Sequence, residues 1–145
     1  MKLAATSHAQ LQSFLRYHLN DETLMVPAIS IYDGNFARIV TRLLKISAIT
    51  FGHYILVSPA VVRRIDDQRL VVPGWLVAHE AVHVLQYGQA GFLRFFVSYL
   101  KNYLRALLEQ KGVSSAARMN AYLAIEEERE AREAERAYEA WCIQA

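Results

Sequence analysis

Two histidines four residues apart, with a glutamate beside the first, are the residues of this chain best suited to chemistry: His79-Glu80-Ala81-Val82-His83. Residues i and i+4 of a helix lie on one face, so His79 and His83 can hold one ion between them. Neutral imidazole is a good zinc ligand, and Glu80 falls beside the metal, where its carboxylate can take a proton from water. A catalytic zinc needs three protein ligands and an open fourth position, and it lowers the pKa of water from about 16 to about 7. The competing reading is a core network of residues that share a helix by chance, because a five-residue pattern is short. The surroundings decide between them. Trp75, Leu76, Val77, Ala78, Ala81, Val82, Val84 and Leu85 make the helix apolar nearly all round, and hence buried. Burying a glutamate with two histidines is costly unless they are paired or bound to metal. A bound Zn2+ is therefore the expectation.

The third ligand must come from another element. The C-terminal part of the chain offers Glu126, Glu127, Glu128, Glu130, Glu133 and Glu135. Most of such a run belongs to a solvated face interlaced with Arg129, Arg132 and Arg136. Glu128 stands apart, in the middle of a stripe of Ala117, Ala121, Ala124, Ala131, Glu135 and Tyr138 at three-and-four spacing. Small residues there permit close approach to another helix. Glu127 and Glu126 lie about 100° and 200° around the helix from Glu128. Glu130 is the alternative, on the stripe of Met119, Leu123, Ala134 and Trp141.

The elements that must position these groups follow from periodicity and punctuation. Pro73 suits a first helical turn and Gly88 a stop, so the motif helix is expected over Pro73 to Tyr87. Helical spacing predicts a first helix from about Ser7 to Leu19, with Leu11, Phe14, Leu15 and His18 on one face, and another over Asn35 to Lys45. Ala28 to Tyr32 reads as a strand closed by the turn Asp33-Gly34-Asn35, and Ile49 to Ser58 as a second strand ending before Pro59. Phe92 to Glu109 forms an amphipathic helix, and Ser114 or Ser115 can cap a long final helix reaching Trp141. The expected fold is α+β: a small antiparallel sheet packed against the buried active-site helix and two further long helices.

The 145 residues suit a single domain, 1–145, and a composition 54% hydrophobic and 21% charged supplies a core. A net charge of +2, with no basic run, makes nucleic acid an unfavoured partner. The single cysteine, Cys142, excludes an internal disulfide and a cysteine metal cluster, and suits a reducing compartment. Polar Thr6, Ser7, His8, Gln10 and Gln12 interrupt any signal-peptide core, and no stretch reaches the roughly 18 to 20 apolar residues of a transmembrane segment. The expected location is cytoplasmic. The Phe92–Glu109 aromatic stripe is first a core face, with Arg94, Lys101 and Arg105 leaving an interfacial, membrane-surface contact open.

The motif His79-Glu80-x-x-His83-x-x-Gln86, with a Glu-x-x-Ala element at Glu128 to Ala131, resembles the gluzincin branch of zinc metallopeptidases. More narrowly, the chain resembles small bacterial zincin-like domains of unknown function. Their Ala-x-Thr-x-Gly-x-x-Ile strand is matched by Ala48, Thr50, Gly52 and Ile55, and the likeness spans roughly residues 28–134. Where many relatives have Pro-Phe before the third-ligand glutamate, Glu126 and Glu127 stand here, and Arg132 stands where many gluzincins have Asp. The resemblance implies that His79, His83 and Glu128 bind zinc and that Glu80 is the general base. It also implies that the strand Ile49 to Ser58 lies beside the cleft, able to pair with an extended peptide or protein substrate.

Tyr122 can donate a hydrogen bond to the oxyanion of a tetrahedral intermediate, as tyrosines do in related enzymes, or can simply pack one turn before the ligand. Gln86 lies on the His79–His83 face and either orients a ligand or packs. His8, His18 and His53 read as structural or exposed. The expected activity is peptide hydrolysis by zinc-activated water. The alternatives are a zinc-stabilised peptide-binding module and a metal-free structural or membrane-surface helical protein. Retention of Glu80 favours the catalyst, because a structural zinc needs no base.

Overall fold

A computed structural model of the chain describes residues 1–66, 69–109 and 125–144. In chain order the elements are α1 (Ala5–Leu19), β1 (Ser30–Tyr32), α2 (Asn35–Leu44), β2 (Ala48–Phe51) and β3 (Tyr54–Val57). A short 3-10 turn (Pro59–Val61) leads to β4 (Arg63–Asp66) and β5 (Arg69–Val71). Three helices follow: α3 (Gly74–Ala90), α4 (Phe92–Glu109) and α5 (Glu126–Gln144). The architecture is α+β, as the alternation of periodicities predicts.

The sheet is mixed rather than antiparallel. Its strand order is β1-β3-β2; β3 runs antiparallel to β2 and parallel to β1. The segment expected as one strand over Ile49 to Ser58 is a hairpin. Gly52, at φ 60°, and His53 turn the chain between Phe51 and Tyr54. A glycine with positive φ at the first central position is what a two-residue II′-type turn requires. The parallel pairing follows from the crossover through α2 and β2, because parallel neighbours need a long connection. Residues at the start of the chain cover the outer side of β1: Leu3 N–H donates to Ile29 O, and Ile31 N–H to Met1 O. β2 is the opposite edge. β4 and β5 form a second, charged hairpin that lacks the apolar alternation of a half-buried strand.

One face of the sheet meets the main core. Ala48, Ile55 and Val57 pack with Leu11, Phe14 and Leu15 of α1, with the apolar residues of α3, and with Ala131 and Ala134 of α5. Side chains alternate across a strand, so Leu56 and Tyr54 point to the other face, where α2 packs on β3 through Ala37 and Thr41. The Thr41 hydroxyl is satisfied by the Ala37 carbonyl at 2.8 Å.

Two helix ends differ from expectation. α3 continues through Gly88 and stops at Gly91, whose φ of 77° is the conformation glycine reaches without strain. α5 begins at Glu126, with the Ile125 carbonyl accepting the Arg129 N–H, so the final helix does not run unbroken from Ser114 or Ser115. Those serines, and Ala117, Met119, Ala121, Tyr122, Leu123 and Ala124, lie outside the described residues.

Candidate metal centre

α3 is the most buried helix among the described residues, with His79, Glu80 and His83 sunk among its apolar neighbours. α5 lies against it, and the alanine spacing explains how. Ala131 and Ala134 are fully buried in the shared core, so at these two positions α5 presents only methyl groups to it. One turn before Ala131, Glu128 enters the same seam and is only 3% exposed.

The result is a compact three-residue cluster. His79 Nε2 lies 3.5 Å from Glu128 Oε2, and His83 Nε2 lies 3.5 Å from Glu128 Oε1. The imidazole rings meet edge-on, with centroids 5.2 Å apart. One donor atom from each residue falls within 4.8 Å of the others, and all three residues are buried. Tetrahedral zinc with bonds of about 2.0–2.1 Å sets its ligand atoms roughly 3.3 Å apart. Each histidine lies near that spacing from a different oxygen of Glu128, and one atom from each residue is within the 4.8 Å limit. The buried His–His–Glu group could therefore hold a metal ion. Donor chemistry alone does not fix the element, since imidazole and carboxylate also accept other transition metals.

The far side of each ring reinforces the fit. His79 Nδ1 sits 3.1 Å from Glu135 Oε2, and His83 Nδ1 sits 2.8 Å from Gln86 Oε1. A carboxylate oxygen and an amide oxygen are acceptors, so these contacts favour the tautomer with Nδ1 as donor and Nε2 facing the cluster. The Gln86 amide is oriented in turn, its Nε2 donating to Glu130 Oε2 at 2.8 Å and to Glu127 O at 3.3 Å. Each histidine thus has an α5 carboxylate behind it, Glu135 directly and Glu130 through Gln86. That arrangement fixes tautomer and ring orientation in metal sites. Tyr99 of α4 completes the surround, donating its hydroxyl to Glu128 Oε1 at 2.9 Å.

Glu80 lies apart from the ligand set, on the sheet side. Its Oε2 accepts from Thr50 Oγ1 at 2.7 Å, so β2 holds the carboxylate in place. Burial pushes the Glu80 carboxyl above its ordinary value. The charges of His83 and His79 and the Thr50 hydrogen bond offset part of that rise, and the charge of Glu128 adds to it. For His83, burial favours the neutral ring, but the hydrogen bond and charge of Glu128, the charge of Glu80 and the Gln86 contact outweigh it. Its pKa rises to about 9. In the metal-free protein a proton therefore occupies the Nε2 position that a metal would take.

Among the expected site residues, His79, His83 and Glu128 come together, and Glu80 lies buried on the sheet side of them. Glu130 instead points at Gln86. Tyr122 lies outside the described residues. His8 contacts the carbonyls of Val26 and Pro27, His18 stacks on Phe14, and His53 packs on Tyr54, all away from the cluster. Sequence reasoning did not single out Thr50, Tyr99 or Glu135 for the roles they take here. Glu135 carried a signal, since it lies seven residues, two turns, from Glu128 on the same stripe. Tyr99 carried none beyond its place in an aromatic stripe. No protein-family model, no curated protein and no solved structure matches this chain.

Proposed function

We propose that this chain is a zinc-dependent metallohydrolase of gluzincin type that cleaves a peptide or protein substrate in a reducing, cytoplasmic setting. His79, His83 and Glu128 would hold the zinc, and Glu80 would act as general base. The observation that carries the reading is the buried Glu80 carboxylate, fixed by Thr50 beside a convergent His–His–Glu set. A bound zinc would supply Lewis acidity, polarising the scissile carbonyl and acidifying water. Glu80 accepts the proton of the attacking water, and its raised pKa brings it nearer the working pH, where a base is most effective. Thr50 orients that carboxylate, and the surrounding apolar helix excludes bulk water from it. β2, the outer strand of the sheet, carries Thr50 and so passes directly beside Glu80. A peptide adding to this edge would bring its backbone to the reacting groups.

The same edge suits a zinc-stabilised peptide-binding module without turnover, and Glu80 separates the two readings. Protein purified without chelator is expected to carry about one zinc per chain, measured by elemental analysis. In a peptide-cleavage screen, Glu80→Gln should keep the zinc and lose about 10²- to 10⁴-fold or more of the hydrolysis. His79→Ala should lose metal and activity together. Absence of zinc, with no thermal shift on adding it, would remove the enzyme reading. Tight peptide binding without cleavage by either form would favour the module.

A further inference from the structure

The helix farthest in character from α3 is α2, whose apolar side faces outward. Phe36, Ile39 and Leu43 are 69%, 64% and 79% exposed, and Leu44 is also exposed. At 100° per residue, Phe36, Ile39 and Leu43 fall within a 60° sector, roughly opposite the buried Thr41. The ridge therefore points straight out from the sheet that α2 covers. Beside it, on the same sheet face, Tyr32 and Tyr54 are also exposed, their rings 5.9 Å apart. Exposed Arg42 lies about 90° around from the ridge, with Arg38 beyond it and Lys45 at the helix end.

The charges of the chain are segregated around this helix. No acidic residue occurs between Asp33 and Asp66, where Arg38, Arg42, Lys45, Arg63 and Arg64 all fall. Seven of the 14 acidic residues lie on α5 instead, at 126, 127, 128, 130, 133, 135 and 139. A short helix with large apolar side chains on one face, arginines on its flank and neighbouring tyrosines has the chemistry of a bilayer interface. Its apolar face enters the headgroup–acyl boundary, its cations meet anionic headgroups, and amphipathic tyrosine rings sit at headgroup depth. A second copy of the chain fits less well, because pairing the two ridges would bring their arginine flanks together. No helix among the described residues is long and apolar enough to cross a membrane, so the contact is with a surface.

We infer that the outward face of α2, carried by Phe36, Ile39 and Leu43 and flanked by Arg38 and Arg42, docks this protein on an anionic lipid bilayer. The docking is independent of metal and of Glu80. It differs from a contact through residues 92–109, although α4 also exposes Val97, Leu104 and Leu108.

The test is co-sedimentation of the full chain with phosphatidylcholine vesicles and with vesicles of phosphatidylcholine and phosphatidylglycerol. The expected result is binding at least about tenfold tighter to the anionic vesicles, weakened by salt. Ile39→Ser with Leu43→Ser should lower that binding tenfold or more, and Arg38→Gln or Arg42→Gln about fivefold each. All four positions are exposed, and circular dichroism will verify that the variants stay folded. Failure to bind either vesicle overturns the assignment, as does anionic-vesicle binding that the Ile39/Leu43 double variant leaves unchanged. Loss of binding only on Leu104→Ser would move the contact to α4. A dimer that the double variant dissolves, without vesicle binding, would assign the ridge to a second copy.

Discussion

α3 and α2 use apolar residues in opposite ways. α3 is apolar nearly all round and carries two histidines and a glutamate into the core. α2 is amphipathic, yet it buries only Ala37 and Thr41 and turns its largest side chains to solvent. Periodicity identifies an apolar face; it does not say what covers that face. In α3 the cover is α5, β2 and α4, and the cost of its buried polar groups is offset by partners on α5 and β2. In α2 no described element covers the ridge, so its apolar side chains contribute little to folding and remain available for docking.

The sharpest way to break this comparison is to make the same substitution in both helices. Leu76, 5% exposed in the core cluster, should cost about 2–5 kcal/mol as Leu76→Ala, through lost transfer energy and a residual cavity. Leu43→Ala should change stability by no more than about 0.5 kcal/mol, because its side chain is in water in both states. Urea denaturation measures both. A cost well above 1 kcal/mol for Leu43→Ala would mean that the ridge is covered in solution.

The buried charges of α3 should also make the metal-free protein sensitive to pH, with a definite sign. His83 has a folded pKa near 9, above its ordinary 6.5, so it binds its proton more tightly folded than unfolded. Its contribution is fully present below about pH 6.5 and is lost as the pH rises through about 9. Glu80 is raised too; its contribution is present below the ordinary carboxyl value and is lost as the pH rises through its folded value. With a chelator present, stability attributable to these two groups should fall from neutral pH to above pH 9. Zinc should act in the other direction between about pH 6 and 8, since it displaces the His83 proton and binds more tightly as that proton becomes easier to remove. Denaturation midpoints across this range, with and without zinc, check the sign. A metal-free protein that gains stability between pH 7 and 9 would contradict the geometry around His83.

Smaller effects are expected behind the rings. Glu135→Gln replaces the acceptor at His79 Nδ1 with a neutral one, and Gln86→Leu removes the acceptor at His83 Nδ1. Each should weaken zinc binding by about 10- to 100-fold, read by competition with a chromophoric chelator. Wild-type affinity in both variants would show that the rings hold their orientation through packing alone.

How much of this was legible depended on whether the signal was local. The motif helix could be read because a five-residue pattern sat on a continuous apolar helix, and Glu128 because alanines at fixed spacing marked a close approach. The helix stop was misplaced by three residues, since Gly88 and Gly91 look alike in sequence and only the latter has positive φ. The hairpin at Gly52 was hidden in a run of β-branched and aromatic residues, where Gly-His is a weak turn signal. The parallel pairing of β1 with β3, the reach of Thr50 to Glu80 and that of Tyr99 to Glu128 are contacts between distant segments. Composition and period carry no information about such contacts, so they appear only in the folded chain.

The smallest expected effect sharpens the comparison within a single helix turn. Glu126 and Glu128 are two residues apart in the first turn of α5, yet Glu126 is exposed while Glu128 is buried. The Glu126 carboxylate meets Arg129 Nη2 at 3.3 Å, an exposed pair contributing about 0–1 kcal/mol. It also lies at a helix N-terminus, where a negative charge stabilises by about 0.3–1 kcal/mol at low salt. Glu126→Ala should therefore cost at most about 1 kcal/mol, with the loss shrinking as salt is added, and should leave zinc affinity unchanged. Glu128→Ala should lower zinc affinity sharply, because it removes the carboxylate that both Nε2 atoms face. Glu130→Ala should fall between them, reaching the site only through Gln86. Measured in one chelator-competition series, an effect of Glu130→Ala larger than that of Glu128→Ala would reverse the assignment of the third ligand. Equal effects from Glu126→Ala and Glu128→Ala would mean that overall negative charge, rather than a buried carboxylate, governs metal binding.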